Sequence, residues 1–160
     1  MIKVETSDIE ILKTLNAGDI VSISGTIYTA RDAAHKKIFA LMKDNEPLPF
    51  PLRNSFVYYT GATPAKDGEP YGSCGPTTSK RMDVYTPDML DAGLKGIIGK
   101  GARTRAVVDA IKRNGAVYFV AIGGAGAFYK SAIKSAEVIA FPDLLSEAVT
   151  KLSLIHISEP

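Results

Sequence analysis

The feature that most narrows the fold is an alternation of apolar runs and helical stretches, punctuated by glycine, across residues 86–145. Thr86-Pro87-Asp88 has the form of a helix start, with Thr at the N-cap and Pro at the first helical position. Leu94 to Ile98 is a short apolar strand running into Gly99-Lys100-Gly101. A helix is predicted from about Arg103 to Asn114, with Val107, Val108 and Ile111 inward and Asn114-Gly115 closing it. Ala116 to Ile122 is a continuous apolar run of the kind that a buried strand shows. Gly123-Gly124-Ala125-Gly126 leads into a further predicted helix. Glu137 to Phe141 then reads as a strand, and Pro142-Asp143 opens a helix. Strands and helices in this order bury their apolar faces only in a layered α/β architecture.

The first half is less regular. Residues 1–17 alternate loosely, and Gly18-Asp19 marks a turn. Ile20 to Tyr28 alternates as a strand, with a bulge or close approach predicted at Gly25. Asp32 to Lys43 places Ala34, Ile38, Leu41 and Met42 at helical spacing, with Asp32 or Thr29 as candidate caps. Asn45 to Pro51 holds three prolines and reads as a loop, and Ser55 to Thr60 is a strand ending at Gly61. Gly61 to Gly75 is rich in Gly, Pro and charge, the composition of an exposed functional loop. No repeat or linker divides the chain, so a single domain is expected.

Composition closes several alternatives. Of 160 residues, 46% are apolar and 22% charged, which is ordinary globular usage. A lone Cys74 excludes an internal disulfide, a cysteine-built zinc site and an iron–sulfur cluster held entirely by this chain. Nineteen Lys and Arg against 17 Asp and Glu leave no electrostatic footprint for nucleic acid or an anionic membrane. No apolar run reaches the roughly 20 residues that cross a bilayer, and a cytoplasmic location is expected.

Four glycine-permitted turns carry polar chemistry. In Gly72-Ser73-Cys74-Gly75-Pro76-Thr77-Thr78-Ser79-Lys80-Arg81, a helix starting near Pro76 would offer an anion its N–H groups and project Thr77 and Arg81 from one face. An ordinary cap at Thr77 or Thr78, with Arg81 merely solvated, fits the same residues. Gly99-Lys100-Gly101, at a strand's carboxyl end, suits an α/β ligand crevice but lacks the spacing of a nucleotide phosphate loop. Gly123 to Gly126 is explained as well by tight packing as by phosphate binding. Arg31, at a strand-to-helix junction, either grips a carboxylate or pairs with Asp32 on the surface. His35 is read as a helix-surface histidine, and Cys74 as a small buried residue. Arg31, Arg81 and Lys100, with the Thr77 hydroxyl, together suit a small dianion such as a dicarboxylate.

Three of these segments resemble one family. Gly75-Pro76-Thr77-Thr78-Ser79-Lys80-Arg81-Met82-Asp83 is similar to the Gly-Pro-Thr-Thr-x-x-Arg-Met signature of class I, iron–sulfur-dependent fumarate hydratases and the related L-tartrate dehydratases. Thr29-Ala30-Arg31-Asp32-Ala33-Ala34-His35 upstream and Ile97-Ile98-Gly99-Lys100-Gly101 downstream resemble further motifs of that family, in the same order. The likeness covers about residues 5–150 and is to the β subunit, the C-terminal domain of single-chain members. It implies a swivelling β/β/α three-layer domain and a reversible hydro-lyase acting on a small dicarboxylate. Fumarate and malate come first among substrates and tartrate second. A non-catalytic carboxylate-binding or assembly domain is the alternative.

The resemblance also implies that a separate α subunit ligates a [4Fe–4S] cluster, which this chain does not, in a dimer of α–β pairs. Arg31, Arg81 and Lys100 would then clamp the substrate, and Thr77 would be the catalytic base. Family members usually continue beyond a helix like Asp143 to Leu152 into a further strand, whereas here the chain diverges at about Ser153. The domain is accordingly read as residues 1–152. Residues 153–160, whose Leu154, Ile155 and Ile157 could also form a final strand, are read as a non-native or truncated tail.

Overall fold

The computed structural model describes residues 2–61, 67, 68, 72, 79–121 and 133–154. Strands β1 (Ile2–Glu5), β2 (Val21–Thr29), β3 (Phe56–Tyr58), β4 (Gly96–Gly99) and β5 (Val117–Val120) are joined in chain order with helices α1 (Asp32–Lys43), α2 (Thr86–Asp91) and α3 (Arg105–Asn114). Strands β6 (Ile133–Ala140) and β7 (Val149–Leu154) follow. The sheet has the order β5-β4-β3-β2-β7-β6, and β1 pairs separately with the first half of β2. β2 to β5 run parallel to their neighbours, whereas β7 lies antiparallel between β2 and β6.

Side chains alternate across this sheet with the period of two that a strand imposes. Val57, Tyr59 and Ile97 face one core with Ala34, Ile38, Leu90 and Ala110 of the helices. Phe56, Tyr58 and Ile98 face a second core with Val4, Leu12, Ile27 and Leu152. Helices thus cover one face, and β1 with the 3-10 segment Ile9–Thr14 covers the other. This is the three-layer α/β arrangement expected from the sequence.

The predicted α1 matches its observed span, and the close approach at Gly25 is present. Gly25 has φ +107, and a Cβ there would stand 2.3 Å from Thr6 Oγ1, the atom that accepts the Thr26 N–H. β2 exchanges β1 for β7 at this corner.

Three local expectations are corrected. Neither Thr29 nor Asp32 caps α1; Arg31 occupies the N-cap without a side-chain bond. Thr29 is instead buried, donating its hydroxyl to Ala148 O at 3.3 Å and accepting the Thr150 N–H at 3.1 Å. Thr86 is the first residue of α2 rather than its cap, and its hydroxyl donates back to Met82 O at 2.8 Å.

The helix expected from Asp143 to Leu152 is absent. A 3-10 turn at Pro142–Glu147 follows Phe141 and is broken at Leu145, both at φ 54, and β7 begins at Val149. Val149 and Leu152 are buried while Lys151 is exposed, so the strand fills the gap between β2 and β6 and tertiary pairing overrides the local helix signal. Ser153 and Leu154 belong to this strand, opposite Thr26 and Gly25. The helix predicted after Gly123–Gly126 lies outside the described residues.

Candidate active site

Because β2, β3, β4 and β5 are parallel, their carboxyl ends meet at one edge of the sheet. The ladder continues to that edge: Ala30 N–H donates to Tyr58 O at 3.1 Å, Tyr59 N–H to Ile98 O at 2.8 Å, and Ala121 N–H to Gly99 O at 2.8 Å. Arg31 follows β2 here, Thr60 and Gly61 follow β3, and Lys100 follows β4. Such an edge is where open α/β sheets bind ligands.

Arg31 is half-buried and crosses Gly61, where an added Cβ would stand 3.0 Å from Arg31 Cδ and 3.1 Å from its Nη1. Its backbone carbonyl accepts the His35 N–H and the His35 Nδ1–H, each at 2.8 Å. A carbonyl only accepts, so Nδ1 carries the proton and Nε2 is left as an acceptor. His35 is fully buried, edge-on to Tyr59 at 5.2 Å and stacked at 6.1 Å on Tyr85. Burial lowers its pKa to about 4, so the ring is neutral at pH 7. The expected surface histidine is therefore an interior one; its place one residue after Ala34 and three before Ile38, on the inward stripe of α1, carried that signal.

Arg81 and Lys100 are joined through Ser79. Ser79 N–H donates to Lys100 O at 3.0 Å, and Lys100 N–H donates to Ser79 Oγ at 3.1 Å. Tyr118 donates its hydroxyl to Gly101 O at 2.9 Å, so the Ser79 hydroxyl must be the donor in the 2.9 Å bond to Tyr118. This approach requires glycine at residue 99, where a Cβ would stand 2.1 Å from Ser79 Oγ. Arg81, on the 3-10 segment Ser79–Met82, is exposed, and Lys100 is half-buried. Thr77 and Cys74 lie outside the described residues, as does the helix start expected near Pro76.

A buried ion pair, which the sequence reading did not single out, completes the edge. Arg103 donates through Nε to Asp83 Oδ1 at 2.8 Å, its Nη2 stands 2.8 Å from the same oxygen, and Asp83 Oδ2 accepts the Thr104 N–H at 2.8 Å. Arg103 Nη2 also reaches Thr86 Oγ1 at 3.1 Å and Tyr59 Oη at 3.3 Å. Its guanidinium faces the Tyr59 and Tyr118 rings, 5.3 and 4.8 Å from their centroids. One signal was available. Arg103 stands two residues before α3, where the helix dipole disfavours a cation and favours an acidic neighbour.

Two features mark this edge as more than packing. Arg31, Arg81 and Lys100 make no ion pair among the described residues, so the Arg31–Asp32 surface pair is not formed. Among those residues, moreover, the buried side-chain atoms without a hydrogen-bond partner are Arg31 Nε, Asp32 Oδ1, His35 Nε2 and Arg103 Nη1. Two donors and two acceptors left unsatisfied around one edge depart from the rule that buried polar atoms are paired. Uncommitted guanidinium and ammonium groups beside such an edge can hold carboxylates, Arg in bidentate fashion and Lys as a point charge. No group of three His, Cys, Asp or Glu side chains that could hold a metal occurs among the described residues. A cavity of about 810 Å³ lies on the opposite, apolar face, against Ile27, Ile98 and Leu152, and contains none of the three cations.

Comparison with known proteins agrees with these motifs. Residues 1–158 match the family model described as Fumarase C-terminus. The chain is 41% identical over 139 residues to "Fumarate hydratase 2" of Leishmania major, covering 86% of this chain and 24% of that protein. It is 37% identical over 148 residues to "Putative L(+)-tartrate dehydratase subunit beta" of Methanocaldococcus jannaschii, covering 89% of this chain and 76% of that one. With "Fumarate hydratase class I, aerobic" of Escherichia coli K12 it shares 39% identity over 137 residues, 84% of this chain and 25% of the relative. The chain therefore spans about a quarter of the length of these fumarate hydratases and about three quarters of the archaeal subunit. The chain belongs to the fumarase C-terminus family.

Proposed function

We propose that the chain is the β subunit of a cytoplasmic hydro-lyase that reversibly adds water to, or removes it from, a small dicarboxylate. Fumarate and malate are the first candidates and tartrate the second. The observation that carries this reading is the set of three cations, Arg31, Arg81 and Lys100, all without an ion pair among the described residues and all supplied by segments that border one sheet edge. The names of the relatives, two fumarate hydratases and a tartrate dehydratase subunit, supply the reaction class.

The roles follow from the chemistry of each group. Arg31 and Arg81 hold the two carboxylates as bidentate partners, and Lys100 faces a carboxylate or hydroxyl oxygen. Held in this way, the dianion presents its α-proton in a fixed direction, and the cations stabilise charge that develops as the proton leaves. Thr77 Oγ is the proposed base. A hydroxyl is a weak base near neutral pH, so this role requires nearby cations or a relay from the partner chain. The [4Fe–4S] cluster belongs, in this proposal, to an α subunit paired with the chain in a dimer of α–β pairs. This chain does not fit the group. It has one cysteine where such clusters take several thiolates, and no three-ligand group occurs among the described residues. Its own part is to bind, orient and deprotonate.

The test is co-expression with the α subunit under anaerobic conditions, followed by fumarate consumption. Replacing Arg81 or Lys100 with Ala in that complex is expected to lower kcat/KM at least about a hundredfold. Full activity in either variant would overturn the clamp, and dicarboxylate binding without turnover in the intact complex would favour the non-catalytic reading.

A further inference from the structure

Resting on the clamp proposed above, we propose that Asp83 and Arg103 are positioning residues whose buried pair fixes the spacing between Arg81 and Lys100, and so sets the length of dicarboxylate that the site accepts. Asp83 lies two residues after Arg81, and Arg103 three after Lys100. The Ser79–Lys100 bonds tie the two segments on one side of the cations, and the Asp83 bonds to Arg103 and Thr104 tie them on the other.

The two ties differ in kind. The Ser79 tie consists of two bonds between neutral groups, from buried Ser79 to the backbone of half-buried Lys100. The Asp83 tie is charged and dry: the Arg103 and Asp83 side chains are 2% and 5% exposed, with Oδ1 held by Arg103 and Oδ2 by the Thr104 N–H. A planar guanidinium donating two bonds and packed between two tyrosine rings has almost no freedom to swing. The rings are themselves fixed. Tyr59 donates its hydroxyl to Thr86, whose own proton goes to Met82 O, and Tyr118 is held by Ser79 and Gly101. The geometry therefore joins Met82, Asp83 and Thr86 on one segment to Gly101, Arg103 and Thr104 on the other, next to exposed Arg81 and half-buried Lys100. A clamp of fixed span distinguishes ligands by the distance between their carboxylates. A loosened one holds several lengths with similar strength.

The experiment measures binding of malonate, succinate and glutarate to the two-subunit complex by titration calorimetry, together with turnover. The unaltered complex is expected to prefer succinate over both neighbours by at least about tenfold. Asp83→Asn, and independently Arg103→Lys should Asp83→Asn not fold, are expected to compress that preference to about threefold or less while the thermal midpoint stays well above the assay temperature. A role confined to stability would reduce the fraction of active complex and leave the ratios among the three ligands unchanged; unchanged ratios in a folded variant overturn this inference. If the unaltered complex binds none of the three, the proposed function fails first, and this inference with it. If it binds all three equally, the fixed-span idea alone is overturned.

Discussion

Two arginine–aspartate pairs anchor the two ends of α3, and they are chemically the same and physically opposite. Before the helix, Arg103 and Asp83 are buried among tyrosines beside the candidate site. At its carboxyl end, Arg113 forms a two-pronged pair with Asp91 of α2, at 2.8 and 2.7 Å, with both side chains about half exposed. Asn114 adds a 2.7 Å bond to the same carboxylate. In the first pair desolvation makes each charge dependent on the other; in the second, water can replace either partner. Burial, not the identity of the residues, decides what the pair does for the fold.

The largest effect should come from cutting the buried pair outright. Asp83→Ala leaves the Arg103 charge buried without its partner, and urea unfolding is expected to show a loss of about 3–5 kcal/mol. A loss below about 1 kcal/mol would mean that water reaches Arg103 and would erase the contrast between the two ends.

Acid should separate buried from exposed groups next. The folded-state pKa of His35, about 4, lies below its ordinary value of 6.5 because of burial. The folded protein thus binds fewer protons than the unfolded chain between those values. The corresponding stability is complete above pH 6.5 and is lost as pH falls towards 4, a change of about 3 kcal/mol. Asp91, held near pKa 2 first by its hydrogen bond from Arg113, works in a lower window: its contribution is complete above 3.8 and lost as pH falls towards 2. Unfolding free energies at pH 7 and 4.5 should therefore report buried His35 of α1 far more than the exposed Asp91–Arg113 pair, and His35→Gln should flatten the difference.

Gly99→Ala sharpens the same contrast from within. The new methyl group would collide with Ser79 Oγ, and an expected cost of about 1–3 kcal/mol should be accompanied by weaker dicarboxylate binding, read by calorimetry. Smallest of all, Asp91→Asn should cost at most about 1 kcal/mol, and the cost should shrink as salt is added. A larger, salt-insensitive loss would place the exposed pair in the same class as the buried one.

How much of this was legible in the sequence follows from the range of the interactions. Helix α1 was, because Ala34, Ile38 and Met42 repeat at local spacing, and so were β2 to β5, whose apolar runs are short and bounded by turn residues. Arg31 and Lys100 were legible as candidates because each stands at a strand's carboxyl end beside a helix or a pair of glycines. β7 was not: Val149 to Leu154 is a strand because β2 and β6 leave two edges open for it, and nothing within the segment states this. Arg103 was missed for a similar reason, since its partner Asp83 is 20 residues away on another turn. His35 needed only a closer reading of the α1 stripe.

The place of β7 has a consequence for how the protein is made. Thr29 and Thr150, 121 residues apart, share a buried bond, and β7 covers the edge of β2 that β3 does not. During synthesis that edge stays bare until Val149–Leu154 has followed β2 out of the ribosome. β6 emerges sooner than β7 but has no other partner among the described strands. An open edge is a template for pairing with other chains, and pairings this distant in sequence form slowly. The nascent chain is thus most exposed to aggregation in the interval before Val149–Leu154 emerges, a vulnerability set by the strand order.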